Sequence, residues 1–517
     1  MSIPLLSIAL AAAAQSPGQL HQWVGPENSL HGLALDGAGD VNQDGIPDVI
    51  VGAREAWVNG SIRNGEALVY SGADFSVLHR FDGPAERDAW LGEAVAGVGD
   101  LNQDGYDDVV VGASNTTPYG TVWAFSGFDG SILYTWNGEQ TGGFGDNFGW
   151  RVSAAGDVNQ DGVPDVLIAA NQADVGGISR AGRIYVYSGA DGSQLHRIDG
   201  TASAMTLGRD ISEAGDVNQD GYGDVIAGGE QIARVFSGFD GSVLFEWTSS
   251  DDDFGVSVSI AGDLNQDGYP DQLVGAFNAL EFGKRKGRAR CYSGLDGTIL
   301  YTWTGPGAET RGFGYSVSDA GDLNGDGVED VLIGAQYSSW NGYDTGSVFA
   351  HSGADGSVLE RWDGDDTLDR FGVAVAGPGD VDQDGLDDVL VGAYLSDANG
   401  FNSGASYLYS GITGAPDLRV LELEQDELVT VEASNCTPGG LVYVAYSLVG
   451  AGPVSTPFGP GYVSPPYTLV TLTANGSGVA QFTAVVPSNT EGIPVWFHGV
   501  DVAAGTMLNP IATKIRR

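Results

Sequence analysis

The chain has 517 residues and a net charge of −46, from 68 acidic against 22 basic side chains. Such a surface repels nucleic-acid phosphates and anionic lipid and attracts cations, so nucleic acid is excluded as a partner. Glycine supplies 81 residues, yet 42% of the chain is apolar, with 11 Trp, 20 Tyr and 19 Phe; this composition excludes a disordered chain and provides for a large core.

Residues 1–14, MSIPLLSIALAAAA, form an apolar run that ends in small residues. They read as a signal peptide cut after Ala14, although the run carries no Lys or Arg at its start. No later apolar run approaches the roughly 20 residues of a membrane-spanning helix.

Seven copies of one unit follow. The string Asp-x-Asn/Asp-x-Asp-Gly-x-x-Asp begins at Asp40, Asp100, Asp157, Asp216, Asp263, Asp322 and Asp380. Before it comes an aromatic or apolar residue with Gly, as in Phe148-Gly149, Phe254-Gly255, Phe313-Gly314 and Phe371-Gly372, and a short alternating run. After it comes an apolar run ending in a small pair, such as Asp108 to Ala113. A variable loop, a strand ending in Ser-Gly, an Asp-Gly turn and a last strand such as Ile132 to Trp136 complete the unit. Four short β-runs per unit, with no 3.6-residue period, describe a propeller blade. The fold class predicted is all-β: a seven-bladed propeller over residues 15–415, followed by a smaller β-domain. The seventh unit stops at Gly414 without its fourth strand. Gln19-Leu20-His21-Gln22-Trp23 matches the fourth strands Val77 to Phe81 and Gln194 to Ile198, so residues 19–24 are expected to close the last blade and remove its open edge.

The acidic loops carry side-chain oxygens at positions 1, 3, 5 and 9, and position 7 would add a backbone carbonyl. In chain order these residues are Asp40, Asn42, Asp44, Ile46 and Asp48; Asp100, Asn102, Asp104, Tyr106 and Asp108; Asp157, Asn159, Asp161, Val163 and Asp165; Asp216, Asn218, Asp220, Tyr222 and Asp224; Asp263, Asn265, Asp267, Tyr269 and Asp271; Asp322, Asn324, Asp326, Val328 and Asp330; and Asp380, Asp382, Asp384, Leu386 and Asp388. Position 6 is always Gly, which permits a sharp turn. Oxygen-only ligands on a tight loop suit Ca²⁺, and the absence of His and Cys disfavours zinc. Mg²⁺ wants a stricter octahedron and more water. Position 12, where an EF-hand needs Glu, is here a strand residue such as Val51 or Ile168. Up to seven structural Ca²⁺ ions at β-hairpin tips are therefore expected.

The unit Phe-Gly … Gly-Asp-Leu-Asn-Gln-Asp-Gly-Tyr-x-Asp … Val-Gly-Ala resembles the FG-GAP repeat of integrin α-subunit N-terminal propellers and of many secreted bacterial proteins. The resemblance covers residues 19–414. It implies a seven-bladed propeller with Ca²⁺ between the first two strands of a blade. All seven loops match here, whereas integrins fill only some. His31, Leu91 and Leu207 stand where the pattern has Phe. Cell adhesion would follow by analogy of fold alone.

From Pro416 the repeat is gone. Apolar runs at 418–423, 427–433, 441–448, 468–473, 479–486 and 494–501 suit a small C-terminal β-sandwich over 416–517. Its end, with Lys514, Arg516 and Arg517, is locally basic.

In the propeller, the metal loops and Asp-Gly turns share one end of each blade. The loops after the Gly-Ala pair and between blades share the other, and variable loops are where a rigid scaffold places function. Those loops carry Trp57, Tyr119, Tyr337, Trp340, Tyr343, Tyr394 and Phe401, which suit sugar stacking or protein contact when exposed. Lys284-Arg285-Lys286, with Arg288 and Arg290, is the basic cluster of the chain, read as a solvated loop that balances nearby acids in preference to an anionic-glycan site. Three histidines, His21, His79 and His196, share one outer-strand position and read as structural. Cys291 aligns with core valines, and Cys436 lies in a turn. No His-Glu-x-x-His, Gly-x-Ser-x-Gly or phosphate loop is present. The expectation is a secreted or cell-surface binding or adhesion module for an extracellular protein or glycan, with no catalytic residue. The alternatives are a Ca²⁺-assisted polysaccharide lyase or hydrolase and a structural surface component.

Overall fold

The structure is a computed structural model. It describes residues 18–412 apart from 61, 142–143, 282 and 308–309, together with the backbone of the C-terminal strands given below. The signal-peptide reading, Cys436, Arg516 and Arg517 fall outside the described residues. Contacts divide the chain into two units, up to Ile412 and from Thr413.

The first unit holds seven four-stranded antiparallel sheets. Blade 1 runs through Ala34–Gly39, Asp48–Ala53, Glu66–Tyr70 and Val77–Asp82. Blades 2 to 6 repeat this order, the sixth with Phe313–Gly321, Asp330–Ala335, Ser347–His351 and Val358–Asp363. Blade 7 takes three strands from the end of the unit and its outer strand, Gln19–Val24, from the start. That strand lies antiparallel to Ala405–Tyr409, with Trp23 opposite Ser406.

The core lies between blades. Second strands such as Asp48–Ala53 are buried along their whole length, because a neighbouring blade covers each face. One cluster joins Val110, Val122 and Trp136 of blade 2 to Phe148, Ile168 and Tyr185 of blade 3. Fourth strands alternate, as half-exposed outer edges should; Val77–Asp82 buries Phe81 and exposes Val77.

Close backbone approach explains the two glycines of the repeat. Gly92, of the Leu-Gly pair, has φ +83° and donates its N–H to the Gly112 carbonyl at 3.0 Å. Gly52, of the preceding Gly-Ala pair, lies so near Gly92 that a Cβ would collide with its carbonyl. The residue before Gly fills one buried slot in every blade, so His31, Leu91 and Leu207 are as buried as Phe313. On the outer rim, Trp136, Trp247 and Trp303 donate indole N–H groups to the Gly192, Gly297 and Gly356 carbonyls of the next blade, at 2.8–2.9 Å.

The second unit is also antiparallel. One sheet joins Asp417–Leu421, Leu428–Ser434 and Ala480–Val485. The other holds Thr468–Thr473, Leu441–Ser447 and Pro494–Asp501, with Thr506–Met507 and Ile511–Lys514 both paired to Pro494–Asp501. Val442 and Val444 are buried. A two-strand ribbon, Val454–Thr456 with Gly459–Gly461, lies in a stretch where the apolar pattern predicts no strand. The described residues contain no α-helix, and no helix is long and apolar enough to cross a membrane.

Candidate functional site

Each acidic loop joins the first and second strands of its blade. In blade 1, the Asp44 N–H is donated to both Asp40 Oδ1, at 3.0 Å, and Asn42 Oδ1, at 2.8 Å. Gly45 N–H reaches Asp40 Oδ2 at 2.8 Å, and Ile46 N–H reaches Asp44 Oδ1 at 3.0 Å. One backbone donor thus gathers oxygens from positions 1 and 3, as a tight loop of short polar side chains does.

Asp48, at position 9, behaves differently. It is fully buried, and its two oxygens accept the N–H groups of Val41 and Gly72, both at 2.9 Å. It therefore ties the loop to the turn between the outer strands. The same six bonds recur in all seven blades, for example around Asp108, Asp224 and Asp388. Burial raises the Asp48 carboxyl to about 7; the two backbone bonds oppose the rise, and Asp44 and Asp40 add to it. Asp224, Asp271, Asp330 and Asp388 are likewise pushed to about 7, and Asp108 and Asp165 to about 6, with burial the largest cause in each. A nearby cation would favour the ionised form and reverse these shifts.

Oxygen atoms of Asp380, Asp382 and Asp384 converge within 4.8 Å of one another. In the other six loops position 3 is Asn, so an amide oxygen replaces the third carboxylate. This hard, oxygen-only donor set, on a backbone already folded around it, fits Ca²⁺. In blades 1 to 5 each position-9 oxygen keeps a lone pair beyond its one backbone bond, since a carboxylate accepts at about four sites; Asp330 Oδ1 also accepts from Asn324, and Asp388 Oδ2 from the Asp382 N–H.

Sequence reasoning missed how the loops bond to one another. Position 8 is acidic in three blades, and there it accepts the position-1 N–H of the preceding loop. Asp107 bonds Asp40 N, Glu329 bonds Asp263 N and Asp387 bonds Asp322 N, each at 2.8 Å. Gln219 and Gln266, at position 4, reach the Gly268 and Gly327 carbonyls of the following loops at 3.0 and 3.3 Å. The only signal in the sequence is that position 8 alternates between acid, Pro and Gly.

First strands line a central channel of about 360 Å³. Asp36 faces it and accepts N–H bonds from Gly37 and Gly97. Burial raises Asp36 to about 7 and, on the first strand of blade 6, Asp319 to about 6; Glu213 adds to both shifts.

The variable-loop aromatics divide. Trp57, Tyr343 and Phe401 are 67%, 61% and 62% exposed. Trp340, expected among the face residues, is buried: its indole donates to Thr310 Oγ1 at 3.2 Å and Arg361 lies over its ring. Tyr119, Tyr337 and Tyr394 are half-buried, and Tyr337 stacks with Phe277 under Arg370. In the basic cluster, Arg288 and Arg290 pair with Asp251 and Lys286 with Glu281, which leaves Lys284 and Arg285 exposed on a short hairpin. His79 and His196 bond the Gly127 and Gly238 carbonyls of the next blade. Cys291 is buried and free.

Comparison with known proteins agrees with this geometry. The FG-GAP repeat family matches residues 91–125, 148–187 and 313–351. Integrin alpha-5 of Xenopus laevis is 35% identical over 30% of this chain and 16% of its own length. Integrin alpha pat-2 of Caenorhabditis briggsae is 35% identical over 25% and 10%, and integrin alpha-V of Gallus gallus 30% identical over 37% and 19%. The chain thus spans less than a fifth of the length of these relatives. The chain carries FG-GAP repeats on a seven-bladed β-propeller, and it is similar to integrin α-subunits.

Proposed function

We propose that this chain is an exported, calcium-binding β-propeller that acts as a non-enzymatic binding or adhesion module for an extracellular protein or glycan. The observation that carries the reading is the acidic loop, whose six hydrogen bonds recur in every blade. Each loop would hold one Ca²⁺ through the side chains of positions 1, 3, 5 and 9 and the carbonyl of position 7. The ion would offset the repulsion among at least three Asp side chains per loop. Backbone N–H groups already orient those side chains, so binding needs little ordering of the chain. The stiffened lower loops would keep the blades in register, and the variable upper loops would meet the partner. The similarity to integrin α-subunits supports an extracellular setting and a binding role.

The test is calorimetric titration of the chain, freed of metal with EDTA, using Ca²⁺ and Mg²⁺. Saturable Ca²⁺ binding with weak Mg²⁺ competition is the expected result. No heat with Ca²⁺ and no gain in melting midpoint would overturn the reading. Sequencing the N-terminus of the protein from the culture medium tests export; Gln15 is the expected first residue.

A further inference from the structure

The structure isolates three upper-face aromatics, and they belong to consecutive blades around the ring closure. Tyr343, Phe401 and Trp57 occupy the same loop, after the Gly-Ala pair, in blades 6, 7 and 1. A path of backbone hydrogen bonds connects them. Leu368 N–H donates to Tyr343 O at 3.1 Å, and Leu395 N–H to Asp369 O at 3.3 Å. Asn28 N–H donates to Phe401 O at 2.9 Å, and Glu55 N–H, two residues from Trp57, to Ser29 O at 3.2 Å. The three rings therefore stand on one bonded arc of loop and linker. None of the three stacks on another ring among the described residues.

The charge of the arc limits its occupant. Glu27, Asp365, Asp366 and Asp397 are exposed along it. The arginines of these blades are committed to ion pairs, including Arg54 with Glu93, Arg361 with Asp363 and Arg370 with Asp344. No free cation remains among them for a uronate, sulfate or phosphate group. Exposed Leu368, bonded to Tyr343 O, and Ile62, in the Trp57 loop, are the large apolar residues nearby, and the three rings do not stack into the packed apolar centre of a protein–protein hot spot. Isolated flat platforms at equivalent positions suit a stiff polymer with a repeating, half-apolar face. The carboxylates between them accept hydrogen bonds from hydroxyl groups.

We propose that the upper arc of blades 6, 7 and 1 binds a neutral polysaccharide, with Tyr343, Phe401 and Trp57 stacking on sugar faces spaced along its chain and the intervening carboxylates accepting sugar hydroxyls. The proposal rests on the module reading and names its ligand class.

The experiment is calorimetry of the full chain, in millimolar Ca²⁺, against neutral hexasaccharides of β-linked glucose, xylose and N-acetylglucosamine and of α-linked mannose. Binding of at least one is expected. Trp57→Ala and Phe401→Ala are each expected to weaken it about tenfold, the scale of one lost aromatic contact. Phe239→Ala, at an exposed ring in the turn following Phe236 of blade 4, is expected to leave affinity unchanged. All three rings are exposed, so unchanged melting midpoints show that the variants are folded. Binding that survives both arc variants overturns the proposal. So does salt-sensitive binding of oligolysine in place of any sugar, which would make the arc a site for basic polypeptide. If no hexasaccharide binds although Ca²⁺ binds and raises the melting midpoint, this inference fails and the module reading stands. If Ca²⁺ itself does not bind, the module reading fails first.

Discussion

Asp48 accepts the backbone N–H of Gly72 at 2.9 Å, and through this bond the acidic loop of blade 1 holds the turn between its outer strands. The other oxygen of Asp48 takes the Val41 N–H, so one buried carboxylate satisfies two donors 31 residues apart in the chain. The ninth position of the loop is thus a staple of the blade as well as a candidate ligand.

Two variants separate these roles. Asp48→Asn keeps the shape but sets an N–H₂ group against a backbone donor. It is expected to destabilise the chain by about 1–3 kcal/mol in urea already in EDTA, and by more in calcium, where a ligand is lost as well. Asp44→Ala removes an exposed oxygen and is expected to change stability in EDTA by no more than about 0.5 kcal/mol, while losing part of the calcium-dependent increment.

Calcium is expected to raise stability in proportion to the number of intact loops. For dissociation constants of about 10⁻⁴–10⁻³ M, millimolar Ca²⁺ contributes roughly 0.4–1.4 kcal/mol per site. Melting curves across a calcium series, repeated with one, two and three loops disabled, check the increment. A midpoint insensitive to calcium in the intact chain would contradict it.

The channel carboxylates set a pH dependence of known sign. Asp36 is raised to about 7 against an ordinary 3.8, chiefly by burial. Between those values the folded chain binds the proton and the unfolded chain does not. Stability from this group is therefore present below pH 3.8 and lost as pH rises through about 7. His31 and His351, held near 4 by burial, act in the opposite direction between about 4 and 6.5. Asp36→Asn isolates the first effect. Its unfolding free energy in EDTA is expected to fall less than that of the natural chain between about pH 5 and pH 8. Parallel urea series at the two pH values check this, and equal slopes would refute it.

Ring closure is expected to depend on Trp23. It is 6% exposed, its ring lies 5.0 Å from that of Tyr70, and its indole donates to Phe75 O at 3.2 Å. Both partners belong to blade 1, while the Trp23 strand pairs with blade 7. Trp23→Ala is expected to cost about 3–5 kcal/mol, the range for a large buried aromatic, and to expose the ring closure to protease first.

Much of this architecture is local and so was legible in the residues. A motif that recurs every 47 to 60 residues names the blade, its turn chemistry and its count before any contact is known. The likeness of Gln19–Trp23 to Val77–Phe81 could be read in the same way, and Gln19–Val24 does pair with Ala405–Tyr409. Alternating Asp and Asn around an invariant Gly marked the polar loop, and its internal bonds span five residues or fewer.

Tertiary structure decided whatever depends on the neighbouring blade. Trp340 and Trp57 lie in equivalent loops, yet one packs under Arg361 of its own blade's outer strand and bonds Thr310 from the segment before that blade, while the other stands in solvent. Asp107 is one more acid in the sequence. It becomes the partner of Asp40 only when two blades pack face to face, 67 residues apart along the chain. Burial of Asp48 on both sides, and the raised proton affinity that follows, arises the same way. Repeat periodicity fixes how each blade is built, but solvent exposure and electrostatics are properties of the closed ring.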